Sequence, residues 1–484
     1  MNFKLIIHTL GAYLVFFGCC FVPSMLWGIY AREWGMLNTF GWVALATIAL
    51  GTLSKKYTKE CTGQNQFTKR EGLLLVSVIW IVSGIIGALP FYISGYIPTF
   101  LSALFESVSG FTTTGASVLS DIEALPQSLL FWRSLTHWLG GLGIVVLFII
   151  VLPHLGVGGR ALFHSEVPGP HTEVLKPKIR ETAFILLKIY IGLTVIETVA
   201  LCCCGMTIFD SICHTFGTLA TGGYSTKNTS VAAFNSISIE IVLIIFMILA
   251  GVNFSLYHYF LTGQRNIFWK DTEFKSYILI IVIATTFIMV DLTLNFSHNI
   301  AKNFRDVLFQ VVSIQTTTGY GTADFDKWPG FSKLILFVLM FVGGCAGSTS
   351  GSFKVIRWVI VFKYIFNQIE RVFRPQAVRP IRLGKVVIED NVVNNIIGLF
   401  CLWVVIFAIV SVVISAMGFD MLTSMSATAA TLNSIGPGFV EVGPTMNFAV
   451  IPDLGKLLLV ICMLFGRLEI YTFVILFHPA FWKK

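Results

Sequence analysis

The sequence predicts an all-α polytopic membrane protein: two leading transmembrane helices, then four helix–pore loop–helix repeats around one central pore. Three observations carry that prediction. The chain of 484 residues is 55% hydrophobic and only 12% charged, with a mean hydropathy of +0.81; soluble domains carry about twice that share of charge. Its apolar runs recur at the length that crosses a bilayer, ~20 residues. Between them lie four short runs of small, mostly hydroxylated residues containing glycine: Phe111–Ser117, Leu219–Ser225, Gln315–Gly321 and Thr431–Gly438. Irregular backbone at membrane depth is tolerated only where it lines a cavity or is buried in protein, so these runs belong to one central feature.

The elements follow in order. Residues 1–71 form a leading two-helix domain, with apolar runs at 4–30 and 37–54. No small-residue cleavage site follows the first run, which therefore reads as a span and not a removed signal peptide. Repeat one with its linker covers 72–180: a span at 73–95, a half-helix at 100–111 and a return at 129–152. Pro153, Gly156, Gly158 and Gly159 end that return, and an interfacial linker follows at 160–180. Repeat two, 181–275, spans at 182–206, dips at 209–220 and returns at 236–262. Repeat three, 276–390, spans at 277–296, dips at 303–316 and returns from 331. Repeat four, 391–484, spans at 392–417, dips at 420–432 and returns at 456–479. The key glycines Gly115, Gly222, Gly319 and Gly436 recur about every 100 residues, a period longer than that of solenoids. Only the return of repeat three is expected to be interrupted.

Charge sets the orientation. With a cytoplasmic amino terminus, Lys55, Lys56, Lys59, Lys69, Arg70, Arg265, Lys270, Lys275 and the basic residues from Arg371 to Lys385 all fall inside, as does the carboxyl terminus. The four loops then enter from outside. Asp121, Glu123, Asp324, Asp326, Glu441 and Asp453 lie near their mouths, either concentrating cations or serving as ordinary solvated loop charges. The formal net charge of +8 is a topology signal, since no basic domain suggests nucleic acid. The ten cysteines sit mostly in apolar runs and read as free thiols packed as small hydrophobes. No His-Glu-x-x-His, nucleophile elbow or nucleotide loop points to an enzyme.

Three further stretches carry chemistry beside the loops. In a selectivity filter, backbone carbonyls replace the water around an ion. Glycine permits the dihedrals that aim successive carbonyls inward, and threonine adds a hydroxyl at the inner end. Only the third loop has a full Gly-Tyr-Gly, which implies a short filter with modest discrimination. Gly343–Ser352 holds four glycines in ten residues and cannot keep a stable helix. It reads as a gating loop beneath the filter or as a packing kink. Arg467, in the last span, is either a barrier to cations or half of an ion pair with Glu469 or another buried carboxylate. Glu197 and Glu240, nearer span ends, read as structural. The basic stretch Lys363–Lys385 suits either anionic membrane lipid or a regulatory subunit.

These residues carry a resemblance. Thr-Thr-Thr-Gly-Ala, Gly-Gly-Tyr-Ser-Thr, Gly-Gly-Cys-Ala-Gly-Ser-Thr, Leu-Asn-Ser-Ile-Gly-Pro-Gly and Gly-Arg-Leu-Glu-Ile-Tyr resemble the Trk/Ktr/HKT superfamily of potassium transporters, over essentially the whole chain. The resemblance implies potassium uptake across a bacterial inner membrane, with K+ as the transported ion and no covalent cofactor. It implies a homodimer with one pore per protomer and a cytosolic nucleotide-binding regulatory subunit of the TrkA type. It places ion coordination on the backbone of Thr113, Thr114 and Gly115; Ala220, Thr221 and Gly222; Thr317, Thr318 and Gly319; and Ser434, Ile435 and Gly436. It places the gate on Gly343, Gly344, Gly347, Ser348, Thr349, Ser350 and Gly351, with Arg467 as the pore arginine. A secondary transporter with broken helices is the rival; it predicts inverted halves and two interrupted spans.

Overall fold

The computed structural model describes residues 1–58, 67–155, 179–374, 380–384, 386–468 and 470–483. The linker expected at 160–180 lies almost wholly outside them, as do Glu469 and the middle of the basic stretch. Apart from a two-residue ladder between Arg382–Leu383 and Val386–Val387, the regular structure is helical.

Among the described residues, six helical stretches are long and apolar enough to cross a membrane: Phe3–Tyr30, Trp34–Tyr57, Arg70–Ile93, Phe184–Cys203, Thr272–Asn295 and Asp390–Ala416. The first two are the leading pair. They cross closely, since a Cβ on Gly11 would lie 2.8 Å from the Gly51 carbonyl oxygen. They pack on repeat one through Phe17, Phe21 and Phe40, whose rings surround the buried Trp132.

Each of the other four stretches leads into a short helix: Phe100–Phe111, Ile208–Leu219, Ile300–Gln315 and Met421–Leu432. At 12 to 16 residues these are too short to span, because ~20 residues are needed. All four begin on a side-chain cap that satisfies an orphan amide. Thr99 accepts from Ser102 N–H, Thr207 from Asp210 N–H, Asn299 from Lys302 N–H, and Asp420 from both Leu422 and Thr423 N–H.

The returns differ. Repeat one returns through Gln127–Leu155 without a break. Repeat three returns through Gly330–Leu339, loses helical structure, and resumes at Val355–Phe373. Repeat four returns through Asp453–Leu468 and Ile470–Val474. The unbroken return expected for repeat two is corrected: Ile237–Ala250 and Phe254–Leu261 meet at 93° across Gly251-Val252-Asn253. The physical cause is local. Asn253 accepts from Ser255 N–H at 2.9 Å and so starts a new helix where hydropathy alone reads continuity.

Candidate ion pathway

The four short helices end in the same way. In the turn after each, one residue adopts a left-handed backbone: Thr113 at φ 54°, Thr221 at 54°, Thr317 at 61° and Ser434 at 55°. The amide after it reaches back five residues. Thr114 N–H donates to Ser109 O at 2.8 Å, Gly222 to Gly217 at 2.7 Å, Thr318 to Ser313 at 2.8 Å and Ile435 to Ala430 at 2.9 Å. This is the Schellman closure of a helix C-terminus, with threonine or serine where glycine is usual. The substitution is costly, since an L-residue in this region is disfavoured by about 1–2 kcal/mol.

Two residues further on, a glycine again takes positive φ: Gly115 at 80°, Gly223 at 76°, Gly319 at 82° and Gly436 at 106°. The matched backbone therefore puts Gly223, not Gly222, at the position of the other three. Thr221-Gly222-Gly223 is the equivalent of Thr113-Thr114-Gly115. Gly222 instead supplies the carbonyl that Thr114, Thr318 and Ile435 supply elsewhere.

These glycines close a ring. A Cβ on Gly115 would run into the Gly222 carbonyl oxygen, one on Gly223 into that of Thr318, and one on Gly319 into that of Ile435. A Cβ on Gly436 would lie 3.0 Å from the Thr114 carbonyl oxygen. Each loop rests on the next, and the fourth returns to the first. The four helix C-termini, with their negative dipole ends, converge on this ring. The buried hydroxyls of Thr113 and Ser434 have no hydrogen-bond partner among the described residues.

Tyrosines brace two of the four quadrants. Tyr224 donates to Glu106 O at 2.8 Å on the first short helix, and Tyr320 to His214 O at 2.9 Å on the second. The matching positions in the other loops are Ala116 and Pro437. Behind Tyr224 lies a buried pair that sequence reading did not single out. Arg133 Nε meets Glu106 Oε1 at 2.7 Å, donates to Ser225 O at 3.0 Å and stacks 3.5 Å from the Tyr224 ring centre. Glu106 also accepts from Val118 N–H at 2.9 Å. The pair thus ties loop one to loop two. An arginine and a glutamate in otherwise apolar or small-residue helices were the available signal.

The non-helical stretch Gly343–Ser352 lies against the ring. Gly351 N–H donates to Thr317 Oγ1 at 2.7 Å, and a Cβ on Gly351 would lie 2.5 Å from Asn433 O. Thr349 Oγ1 donates to Leu219 O at 2.8 Å. The loop therefore touches the second, third and fourth helix ends. It is also stitched to the bend of repeat two: Cys345 N–H donates to Gly251 O at 2.8 Å, and Phe254 N–H to Gly347 O at 3.0 Å. Two interrupted spans thus exist, but they lie side by side within one ring of four loops.

Arg467 reaches this loop from the last turn of Asp453–Leu468. It is buried and donates from Nη1 to Thr349 O at 2.8 Å and from Nη2 to Gly140 O at 2.9 Å. Both bonds go to backbone oxygens, one on the loop and one on the return of repeat one. Its expected alternative partner, Glu469, lies outside the described residues. Of the other buried acids, Glu240 pairs with Arg305 at 3.0 Å, and Glu197 is fully buried.

Three of the acidic residues at the loop mouths, Asp121, Glu123 and Asp326, hold neighbouring repeats together, while Asp324 pairs with Lys327 and Asp453 with Lys456 inside their own repeats. Asn228 of repeat two donates from Nδ2 to Asp121 at 2.9 Å and accepts from Ile122 N–H at 2.7 Å. Asp326 of repeat three accepts from Val440 N–H of repeat four at 2.8 Å.

Known proteins share this architecture. The chain is 38% identical to the Trk system potassium uptake protein TrkH of Halomonas elongata and 36% identical to that of Escherichia coli K12, with all of each chain covered. The crystal structure of the potassium transporter TrkH from Vibrio parahaemolyticus superposes with a TM-score of 0.88 at 35% identity, again covering all of both chains. Residues 40–484 match the family described as TrkH, cation transport protein, a family of transporters and not of enzymes. A match of this extent, in sequence and in fold, places the chain in the TrkH family of cation transport proteins.

Proposed function

We propose that this chain is the ion-translocating, channel-like subunit of a potassium uptake system of the bacterial inner membrane. The observation that carries the reading is the closed ring in which four glycines rest on four carbonyls in cyclic order. Four loops of matched backbone give a cation a site of fourfold carbonyl and hydroxyl oxygen at the negative ends of four helices. The coordinating backbone on this reading is Thr113–Gly115, Thr221–Gly223, Thr317–Gly319 and Ser434–Gly436. Orphan hydroxyls on Thr113 and Ser434, held at a disfavoured φ, have no structural return and suit an ion or its water at the inner end.

Gly343–Ser352 is the gate on this reading, and Arg467 is the cation beneath the ring that holds it closed. The relatives named as parts of a Trk system support a cytosolic regulatory partner, which would act on the basic stretch after Val355–Phe373. Homodimeric assembly and cytoplasmic termini go with the same reading; the distribution of lysine and arginine supports the second.

The test is flux into proteoliposomes with potassium, rubidium, sodium and lithium. Potassium and rubidium should pass faster than sodium and lithium by a modest factor. Gly115→Ser and Gly319→Ser should reduce that factor, because the added Cβ displaces a ring carbonyl. Equal ion ratios in wild type and both variants would remove the filter reading.

A further inference from the structure

Glu273 belongs to neither the ring nor the loop, yet it holds both ends of the interrupted return. It lies in the first turn of Thr272–Asn295 and is buried. One of its oxygens, Oε1, accepts from Ala346 N–H at 2.7 Å and from Ile356 N–H at 3.1 Å. Ala346 is inside the loop; Ile356 is in the first turn of the helix that leaves it. The N-cap of that helix is Lys354, whose side chain makes no capping hydrogen bond and carries no acceptor. A helix start leaves amides unsatisfied, and burial makes each one costly. Glu273 supplies the missing acceptor from another helix.

We propose that Glu273 is the latch of the loop: a positioning residue that caps Val355–Phe373 from outside and keeps Gly343–Ser352 seated under the ring. The inference rests on the reading of that loop as a gate. Any pull on Val355–Phe373 from its far end must break the Ile356 bond before the loop can shift. Because the same oxygen holds Ala346, a displacement of the Glu273 carboxyl loosens the helix start and the Ala346 end of the loop together. The latch thus converts a displacement of the helix into a discrete release, where a merely tethered loop would follow gradually.

The test uses the full chain in proteoliposomes, with Glu273→Ala and Glu273→Gln beside wild type and a control lacking residues 345–350. Two signals are read: rubidium flux without any partner, and labelling of Cys345 by a membrane-impermeant thiol reagent, resolved by peptide mass spectrometry. Cys345 lies in the loop and is buried, so a seated loop protects it. Glu273→Ala should raise both signals roughly tenfold, the change expected when about 1.4 kcal/mol of charge-assisted bonding is lost. Glu273→Gln keeps a neutral acceptor and should fall between. If Glu273→Ala does not fold, the Cys345 labelling of Glu273→Gln decides alone. Wild-type labelling in every folded variant overturns the latch, whatever the flux. A control deletion that leaves flux at the wild-type level overturns the gate reading instead, and Cys345 labelling still decides the latch.

Discussion

Thr113 and Ser434 each combine two local penalties: a left-handed backbone that glycine would adopt without strain, and a buried hydroxyl with no partner. Strain of this kind at two equivalent positions is the observation from which a functional role is proposed. Thr113→Gly should therefore raise the melting temperature, since about 1 kcal/mol of strain is relieved, while lowering potassium over sodium discrimination in flux assays. A stabilised protein with unchanged discrimination would mean that the hydroxyl does not face the ion. At this scale the sequence was readable except in one register. Thr221-Gly222-Gly223 offers two glycines, and the spacing of about 100 residues selects the first as the equivalent of Gly115. Nothing local separates them; the choice is made by the Thr318 carbonyl against which Gly223 packs. Arg467 was readable as unusual, but its two carbonyl partners come from residues far apart in the chain. Arg467→Ala should raise flux several-fold if the charge and its bond to Thr349 hold the path shut. Unchanged flux in a folded variant would assign it a packing role only.

Among the elements, the short helices were legible to within a few residues because their length and caps are local properties. Their caps are also separately testable. At Asp420 burial pushes the carboxyl up, but the Thr423 hydroxyl and the Thr423 and Leu422 amides outweigh it and hold the carboxyl below its usual range. A lowered pKa gives stability that is present above the ordinary carboxylate range and is lost as pH falls through the folded value. Asp420→Asn should remove that acid-side loss while costing little near neutrality, because asparagine caps well; parallel melting curves from pH 3 to 7 would show it. The bend of repeat two was not legible. Ile237–Leu261 is apolar almost throughout, and hydropathy cannot tell a straight span from a pair at 93°. The Gly251 carbonyl at the bend accepts from Cys345 N–H, so the break in repeat two is bonded directly to the break in repeat three. Asn253→Ala should therefore loosen the loop as well as the bend, seen as faster thiol labelling of Cys345. Slow labelling in that variant would separate the two breaks.

For the whole molecule, four copies on one chain made the fold readable, since a single Thr-Thr-Gly would have carried little weight. What repetition does not reveal is how the copies are joined. That depends on long-range contacts: Asn228 with the Asp121–Glu123 turn, Asp326 with Val440, and the Arg133–Glu106 pair behind Tyr224. The joints are also unequal. Tyr224 and Tyr320 brace the seams between loops one and two and between two and three, while Ala116 and Pro437 leave the remaining seams without such a strut. A ring of identical subunits would have to dilate evenly around an oversized ion. Here the tyrosine struts lie at two seams only, so, on the reading of the ring as the ion path, a large cation such as caesium should be admitted where loop four meets its neighbours. Its passage should then depend on the residue at 437 far more than on those at 224 or 320, and the aperture would behave less like an iris than like a jaw with one moving part.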